Sequence, residues 1–329
     1  MYKSQWHASA VSFCEPPYDI IELMVKNKPR KKHMILVIIS LTITLIVLAI
    51  ALLATINSNN ARQKLADYPV ETANLPSGKV TYADSGSGSP VVLVAHGING
   101  GYDQGYDSLK RKSDSYRVIA PSRFGYLRSD IPADASPGQQ AKVYAELLDT
   151  LGIDKVYILG TSAGGTVAIR FALDYPERTK GLILYCSAAP LTEKTSKVPE
   201  YLGPPEAILN DFTFTLISPL FPIIMGLPPS VATGSMPLTE RKAGIVNDAK
   251  VTNPDMLKNF DNYPIENIEA PVLIFHAKDD KVAPYEAMEK GATRFKNKQF
   301  VTFQSGGHMM EGNDQTISET LDNFVNQNE

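Results

Sequence analysis

The sequence predicts an α/β protein: a mostly parallel sheet with flanking helices and an inserted lid, preceded by one transmembrane helix. Three observations point there. Beyond residue 76, short apolar runs alternate with helical patterns, as strands joined by crossover helices do. The alternation breaks once, over residues 190–264, where a simple crossover needs far fewer residues. From Met34 to Ile56 the chain is apolar and uncharged, long enough for a helix to cross a hydrocarbon core of roughly 30 Å.

From the N-terminus, residues 1–33 read as a cytoplasmic tail, of which 1–23 carry no periodic apolar face and read as disordered. Met24 opens its basic stretch and is a candidate alternative start. The apolar stretch exceeds the roughly 7–15 residues of a cleaved signal's core, and Ala54-Thr55-Ile56 does not fit a small-residue cleavage site. Lys26, Lys28, Arg30, Lys31 and Lys32 precede the span, whereas only Arg62 and Lys64 closely follow it. The basic flank marks the cytoplasmic side, so the expectation is a single-pass membrane protein with its main domain outside the cytoplasm. Residues 57–75, opened by Asn57, Ser58, Asn59 and Asn60, read as a polar linker, and 76–329 as the main domain.

Within that domain Lys79–Ala83 reads as an earlier, more exposed strand, ended by the turn-rich Asp84–Pro90. Val91–Ala95, Arg117–Ala120, Val156–Leu159, Leu182–Tyr185, Val272–His276 and Phe300–Phe303 read as the rest of the sheet. Most are near-continuous apolar runs, as strands buried on both faces are. Helical patterns cover Pro137–Leu151, Ala163–Tyr175, Tyr285–Lys296 and Thr316–Asn326. The lid's first part is dense in proline and large apolar residues such as Phe212, Phe214, Leu220 and Ile223. Most should pack the lid itself, and some should face a cleft beneath it, making an apolar pocket.

The 32 basic and 35 acidic residues leave a formal net charge of −3, without the basic field that collects nucleic acid. Nucleic-acid binding is therefore excluded. The two cysteines, Cys14 and Cys186, fall on opposite sides of the apolar stretch and are poor candidates for a disulfide. No C-x-x-C spacing offers a metal site, and nothing in the sequence asks for a cofactor.

Chemistry enters at Gly160-Thr161-Ser162-Ala163-Gly164, a G-x-S-x-G turn that throws a serine hydroxyl out between a strand and a helix. Such a match arises by chance in about one chain in ten of this length, so context decides. Here the strand VYIL precedes it and a helical pattern follows. A serine needs an adjacent base, and the chain has five histidines. His7 and His33 lie before or at the membrane span. His276 ends a buried strand and reads as a packed core histidine, and His96 belongs to the turn His96-Gly97-Ile98-Asn99-Gly100-Gly101. That leaves His308, in a glycine-rich loop after the last strand. A carboxylate must orient it. Asp280, in Asp279-Asp280-Lys281-Val282-Ala283-Pro284 after strand Val272–His276, is the candidate, and Asp279 reads as a solvated or turn-forming neighbour. The alternative position, after the preceding strand, reads Cys186-Ser187-Ala188-Ala189 and has no carboxylate. The backbone N–H groups of Ile98 and Ala163 are the candidate oxyanion donors.

From about Gly78 to Asn328 the chain resembles the α/β-hydrolase superfamily. The resemblance rests on HG after the third strand, GTSAGG at the nucleophile turn, DDKVAP at the acid, GGH at the base, and the loop Pro121–Ser129 ending in a Gly-x-x-Ser-like turn. It implies a lidded serine hydrolase with Ser162, Asp280 and His308 as catalytic residues. Substrate class stays open, because esterases, lipases, C–C bond hydrolases and some peptidases share these motifs. Serine at 162 argues against epoxide hydrolases and haloalkane dehalogenases, which place aspartate there. The expected activity is hydrolysis of an ester or related acyl bond of a small apolar substrate, in a protein held to the membrane by its N-terminal helix. The alternatives are C–C bond hydrolysis and ligand sensing with little turnover.

Overall fold

The computed structural model describes residues 31–109 and 115–329. Most of the expected tail, including His7, Cys14, Met24, Lys26, Lys28 and Arg30, lies outside the described residues. By its contacts the chain divides after Ala49 into two units. In the first, the described residues belong to helix α1 (Lys31–Ala66) and are exposed throughout. Among the described residues, α1 is the one helix long and apolar enough to cross a membrane.

The second unit, from Ile50 onward, corrects the expected linker over residues 57–75. α1 runs on to Ala66, and β1 (Val70–Leu75) follows almost at once. Asn57–Asn60 stay helical because tertiary contacts hold the last turns: Ala54, Ser58 and Leu65 are buried, Arg62 Nε bonds Glu240 at 3.1 Å, and Tyr102 donates to the Leu65 carbonyl. Asparagine's helix penalty is only several tenths of a kcal/mol per residue, so docking outweighs it. β1 pairs along its whole length with β2 (Gly78–Asp84), from Val70 opposite Ala83 to Leu75 opposite Gly78. That pairing, with β4 on the other side, buries Val80, Thr81, Tyr82 and Ala83, so β2 is not the exposed strand expected.

Eight strands form one sheet in the order β1-β2-β4-β3-β5-β6-β7-β8. The remaining strands are β3 (Val91–Ala95), β4 (Arg117–Pro121), β5 (Val156–Thr161), β6 (Thr179–Tyr185), β7 (Val272–Ala277) and β8 (Lys298–Phe303). From β4 through β8 neighbours run parallel. Val92–Ala95, Tyr157–Leu159, Leu182–Leu184 and Leu273–Phe275 are fully buried, as strands covered on both faces must be. Helices α2 (Tyr102–Leu109), α3 (Pro137–Thr150) and α4 (Gly164–Asp174) follow β3, β4 and β5, and α5 (Tyr285–Ala292) and α6 (Asp314–Gln327) follow β7 and β8. α2 was not legible as a helix in the sequence. In register, Ala95 lies opposite Gly160, Thr161 opposite Tyr185, and Ala277 opposite Phe303. The loops leaving β3, β5, β7 and β8 therefore emerge along one edge, the edge at which open α/β sheets bind ligands.

Residues 190–264, between β6 and β7, contain no strand. Short helices follow one another: Asp211–Ile217, Phe221–Ile224, Ser230–Gly234, Lys242–Asn247, a π-helical turn Asp248–Thr252, and Asp255–Lys258. Prolines 219, 222, 228, 229, 237 and 254 keep them short. Leu209, Phe214, Phe221, Leu227, Ala232, Leu238 and Ile245 pack with Tyr126 into a core of their own, against which Ile98 rests. Leu216, Leu220, Ile223 and Ile224 remain exposed.

Candidate active site

Ser162 follows β5 directly and sits in the left-handed region at φ 51°, a strained conformation for a side-chain-bearing residue. The turn holds because its neighbours are small. A Cβ on Gly164 would collide with the Ala95 and His96 carbonyls, and one on Gly165 with the Ser187 hydroxyl. Its backbone is pinned as well: Ser162 N–H donates to the Tyr185 carbonyl, and its own carbonyl accepts from Gly165 and Ala188.

His308 lies on the short turn Gly307–Met309 after β8 and is 8 % exposed. Its Nδ1 is 2.8 Å from Asp280 Oδ2, and its Nε2 is 3.0 Å from Ser162 Oγ. A carboxylate can only accept, so Nδ1 carries the hydrogen and Nε2 offers its lone pair to the serine hydroxyl. The arrangement can take the serine proton and stabilise the imidazolium that results. The Asp280 carboxylate is shielded from solvent. Burial alone would raise its pKa. Hydrogen bonds from His276 and His308, with the backbone N–H of Ala283, outweigh that and hold it well below the usual carboxylate range.

Asp279 is exposed, as the sequence suggested, yet it is also bonded to a neighbouring loop. Its two oxygens accept from Gly306 N–H at 3.2 Å and Gly307 N–H at 2.8 Å, so it holds the loop that carries His308. Cys186, at the alternative acid position, is buried, and burial pushes its thiol far above the ordinary range.

The turn after β3 lies beside Ser162: a Cβ on Gly97 would come within 3.3 Å of Ser162 Cβ. Neither Ile98 N–H nor Ala163 N–H has a hydrogen-bond acceptor among the described residues, so both can donate elsewhere. His96 is fully buried beneath the turn. Its Nε2 accepts from Arg123 N–H, so its Nδ1–H donates to the Gly97 carbonyl. Asn99, at φ 64°, turns the chain toward α2.

Two buried ion pairs, neither foreseen in the sequence, tie residues 190–264 to these loops. Arg241 binds Asp103 on α2 through both terminal guanidinium nitrogens and donates to the Gly100 and Asn99 carbonyls. Arg123, in the loop after β4, binds Asp248 at 2.5 and 2.6 Å, and Tyr126 donates to the same carboxylate. One hint was available: Phe212–Thr239 carries no charge, so the Glu240-Arg241 that breaks the run stands out. An open recess of about 500 Å³ lined by Ser136, Arg170, Asp174, Asp255 and Asp261 includes none of Ser162, Asp280 or His308.

A model of the alpha/beta hydrolase fold matches residues 90–215, and one described as TAP-like protein matches residues 254–329. The chain belongs to the α/β-hydrolase superfamily. Among relatives of this hydrolase, an uncharacterized hydrolase, YcgS, of Bacillus subtilis (strain 168) is 32% identical over 190 residues, 55% of this chain and 65% of the relative. A 2-hydroxy-6-oxononadienedioate/2-hydroxy-6-oxononatrienedioate hydrolase of Burkholderia vietnamiensis is 26% identical over 246 residues, 70% of this chain and 84% of the relative. In fold, the hydrolase is similar to an esterase from Exiguobacterium antarcticum, with a TM-score of 0.60 at 22% identity, covering 78% of this chain and 98% of the esterase.

Proposed function

We propose that this hydrolase is a serine esterase acting through an acyl-enzyme, with Ser162 as nucleophile, His308 as general base and Asp280 as the orienting acid. The observation that carries the reading is the unbroken chain Ser162 Oγ, His308 Nε2, His308 Nδ1, Asp280 Oδ2, with links of 3.0 and 2.8 Å. In the cycle, Ser162 attacks the acyl carbon as His308 takes its proton, and Ile98 and Ala163 N–H receive the oxyanion. His308 returns the proton to the leaving alcohol, and water then repeats the sequence on the acyl-enzyme.

The substrate is small, apolar and uncharged, with residues 190–264 acting as a lid. Ile98 packs against the apolar cluster of that segment. Arg241 and Arg123, the two guanidiniums buried there, are each already paired with an aspartate and so have no spare charge for a substrate carboxylate. That favours an ester over the C–C bond hydrolysis of dienedioates, which is the second reading because relatives bear that name. The test is kcat/KM of the full chain in detergent over p-nitrophenyl esters of increasing chain length, beside a ring-cleavage dienedioate. Longer or branched acyl chains should outperform charged ones. Preference for the dienedioate would install the second reading, and tight ligand binding with negligible turnover of both would mark a sensor.

The Met34–Ile56 stretch of α1 is proposed to anchor the enzyme in a membrane, with the tail cytoplasmic and the hydrolase outside.

A further inference from the structure

His276 reads from the sequence as a core histidine, and it is indeed fully buried on β7, but its ring is bonded to the acid. We propose that His276 is a positioning residue that fixes the Asp280 carboxylate, so that Oδ2 is aimed at His308. The proposal rests on the reading that Asp280 and His308 serve Ser162.

His276 Nε2 lies 2.8 Å from the Ala283 carbonyl oxygen and 3.3 Å from Asp280 Oδ2. Both oxygens only accept, so Nε2 carries a hydrogen and shares it between them. On the far side of the ring, Nδ1 is buried with no hydrogen-bond partner among the described residues. A buried polar atom left unpartnered costs on the order of 1–3 kcal/mol, so an apolar residue would fill this space better if filling were the only task. What distinguishes histidine here is the Nε2–H.

The Asp280 carboxylate is held at both of its oxygens. Oδ1 accepts from Val282 N–H at 2.8 Å and Ala283 N–H at 2.9 Å, and Oδ2 accepts from His308 and His276. These donors fill the roughly four acceptor sites of an ionised carboxylate. His276 also holds the turn from its other end, because Ala283 gives its N–H to Asp280 and its carbonyl to His276. Without Nε2–H, the Ala283 carbonyl loses that donor and Oδ2 keeps His308 alone, so only the two backbone N–H bonds at Oδ1 still hold the carboxylate from its own turn and the aim of Oδ2 loosens. Tyr285 packs edge-on against the imidazole with centroids 6.0 Å apart and keeps the ring in its plane.

The test compares His276→Leu, which removes the donor, with His276→Gln, whose amide N–H reaches the position of Nε2. The full chain in detergent is used, with Ser162→Ala as control and thermal unfolding to confirm folding. His276→Leu should lower kcat, by as much as about 100-fold for a misplacement near 1 Å, at unchanged KM. His276→Gln should recover most of the loss. In proton NMR, the low-field resonance of the His308 Nδ1–H should shift or broaden in the leucine variant and stay in place in the glutamine variant. Wild-type kcat and an unmoved resonance in His276→Leu would overturn the proposal, as would a glutamine variant as impaired as the leucine one. If the leucine variant does not fold, His276→Met makes the same comparison. Activity surviving in Ser162→Ala would instead remove the serine reading on which the proposal rests.

Discussion

Arg241, fully buried, grips Asp103 with Nη1 at 3.0 Å from Oδ1 and Nη2 at 2.7 Å from Oδ2. The same Nη1 donates to the carbonyl of Gly100 at 2.5 Å and, more weakly, to that of Asn99 at 3.3 Å. One side chain from residues 190–264 therefore holds the turn that carries Ile98, the proposed oxyanion donor.

Arg241→Met should strand the Asp103 charge. Breaking a buried pair costs about 3–5 kcal/mol, which thermal unfolding would register as a large fall in Tm. If the turn also loses its aim, kcat should fall on the order of a hundredfold, the effect of losing one oxyanion donor. The double variant Arg241→Met, Asp103→Leu removes both charges and should regain stability without regaining kcat. Recovery of both would mean that the pair serves folding alone.

The two adjacent aspartates should separate cleanly in kinetics. Asp280→Asn leaves His308 without its orienting charge and should lower kcat by about 10⁴-fold. Asp279→Asn keeps one carbonyl oxygen for the Gly306 or Gly307 N–H and should cost far less, and Asp279→Ala more than Asp279→Asn. Measuring kcat on one ester, with circular dichroism to confirm folding, decides between them. A dead Asp279→Asn beside an active Asp280→Asn would reverse the assignment.

Stability should depend on pH through His96. Burial, with the nearby Arg123 charge, holds its folded pKa well below the ordinary value. The unfolded chain binds this proton near pH 6.5 and the folded chain does not, so stability rises with pH below about 6.5 and is lost on acidification. The slope from this one group is at most about 1.4 kcal/mol per pH unit. Tm should fall between about pH 7.5 and 5.5, and the fall should be shallower in His96→Gln. An equal slope in both proteins would assign the acid sensitivity elsewhere.

What the sequence made legible and what it hid have physical causes. Strands β3 to β7 were readable because both of their faces are covered, so Val92–Ala95 or Leu273–Phe275 show as unbroken apolar runs. Ser162, Asp280 and His308 were readable because each follows a strand in a loop whose glycines or proline give it a recognisable form. β1 was missed because Val70-Glu71-Thr72-Ala73-Asn74-Leu75 is an edge strand that exposes Glu71, Thr72 and Asn74 and carries little apolar pattern. The end of α1 was missed because asparagine-rich residues 57–60 owe their helical form to docking. The pairs Arg241–Asp103 and Arg123–Asp248 span 138 and 125 residues, and His276 meets Asp280 across a turn. No local pattern announces such contacts.

The proposed topology makes its own prediction. In intact cells or protoplasts, added protease should remove the hydrolase from the membrane and leave the tail protected. Complete protection of the hydrolase would put it on the cytoplasmic side and refute the orientation inferred from the basic flank.

The proposed acyl-enzyme needs a covalent bond at Ser162, which intact-protein mass spectrometry can detect. The full chain in detergent is treated with a fluorophosphonate, which traps an activated serine, and is then digested to locate the adduct. One adduct is expected, on the peptide containing Ser162, absent in Ser162→Ala and strongly slowed in His308→Ala. An unlabelled Ser162 in a folded, ester-cleaving protein, or an adduct on another residue, would contradict an acyl-enzyme at Ser162.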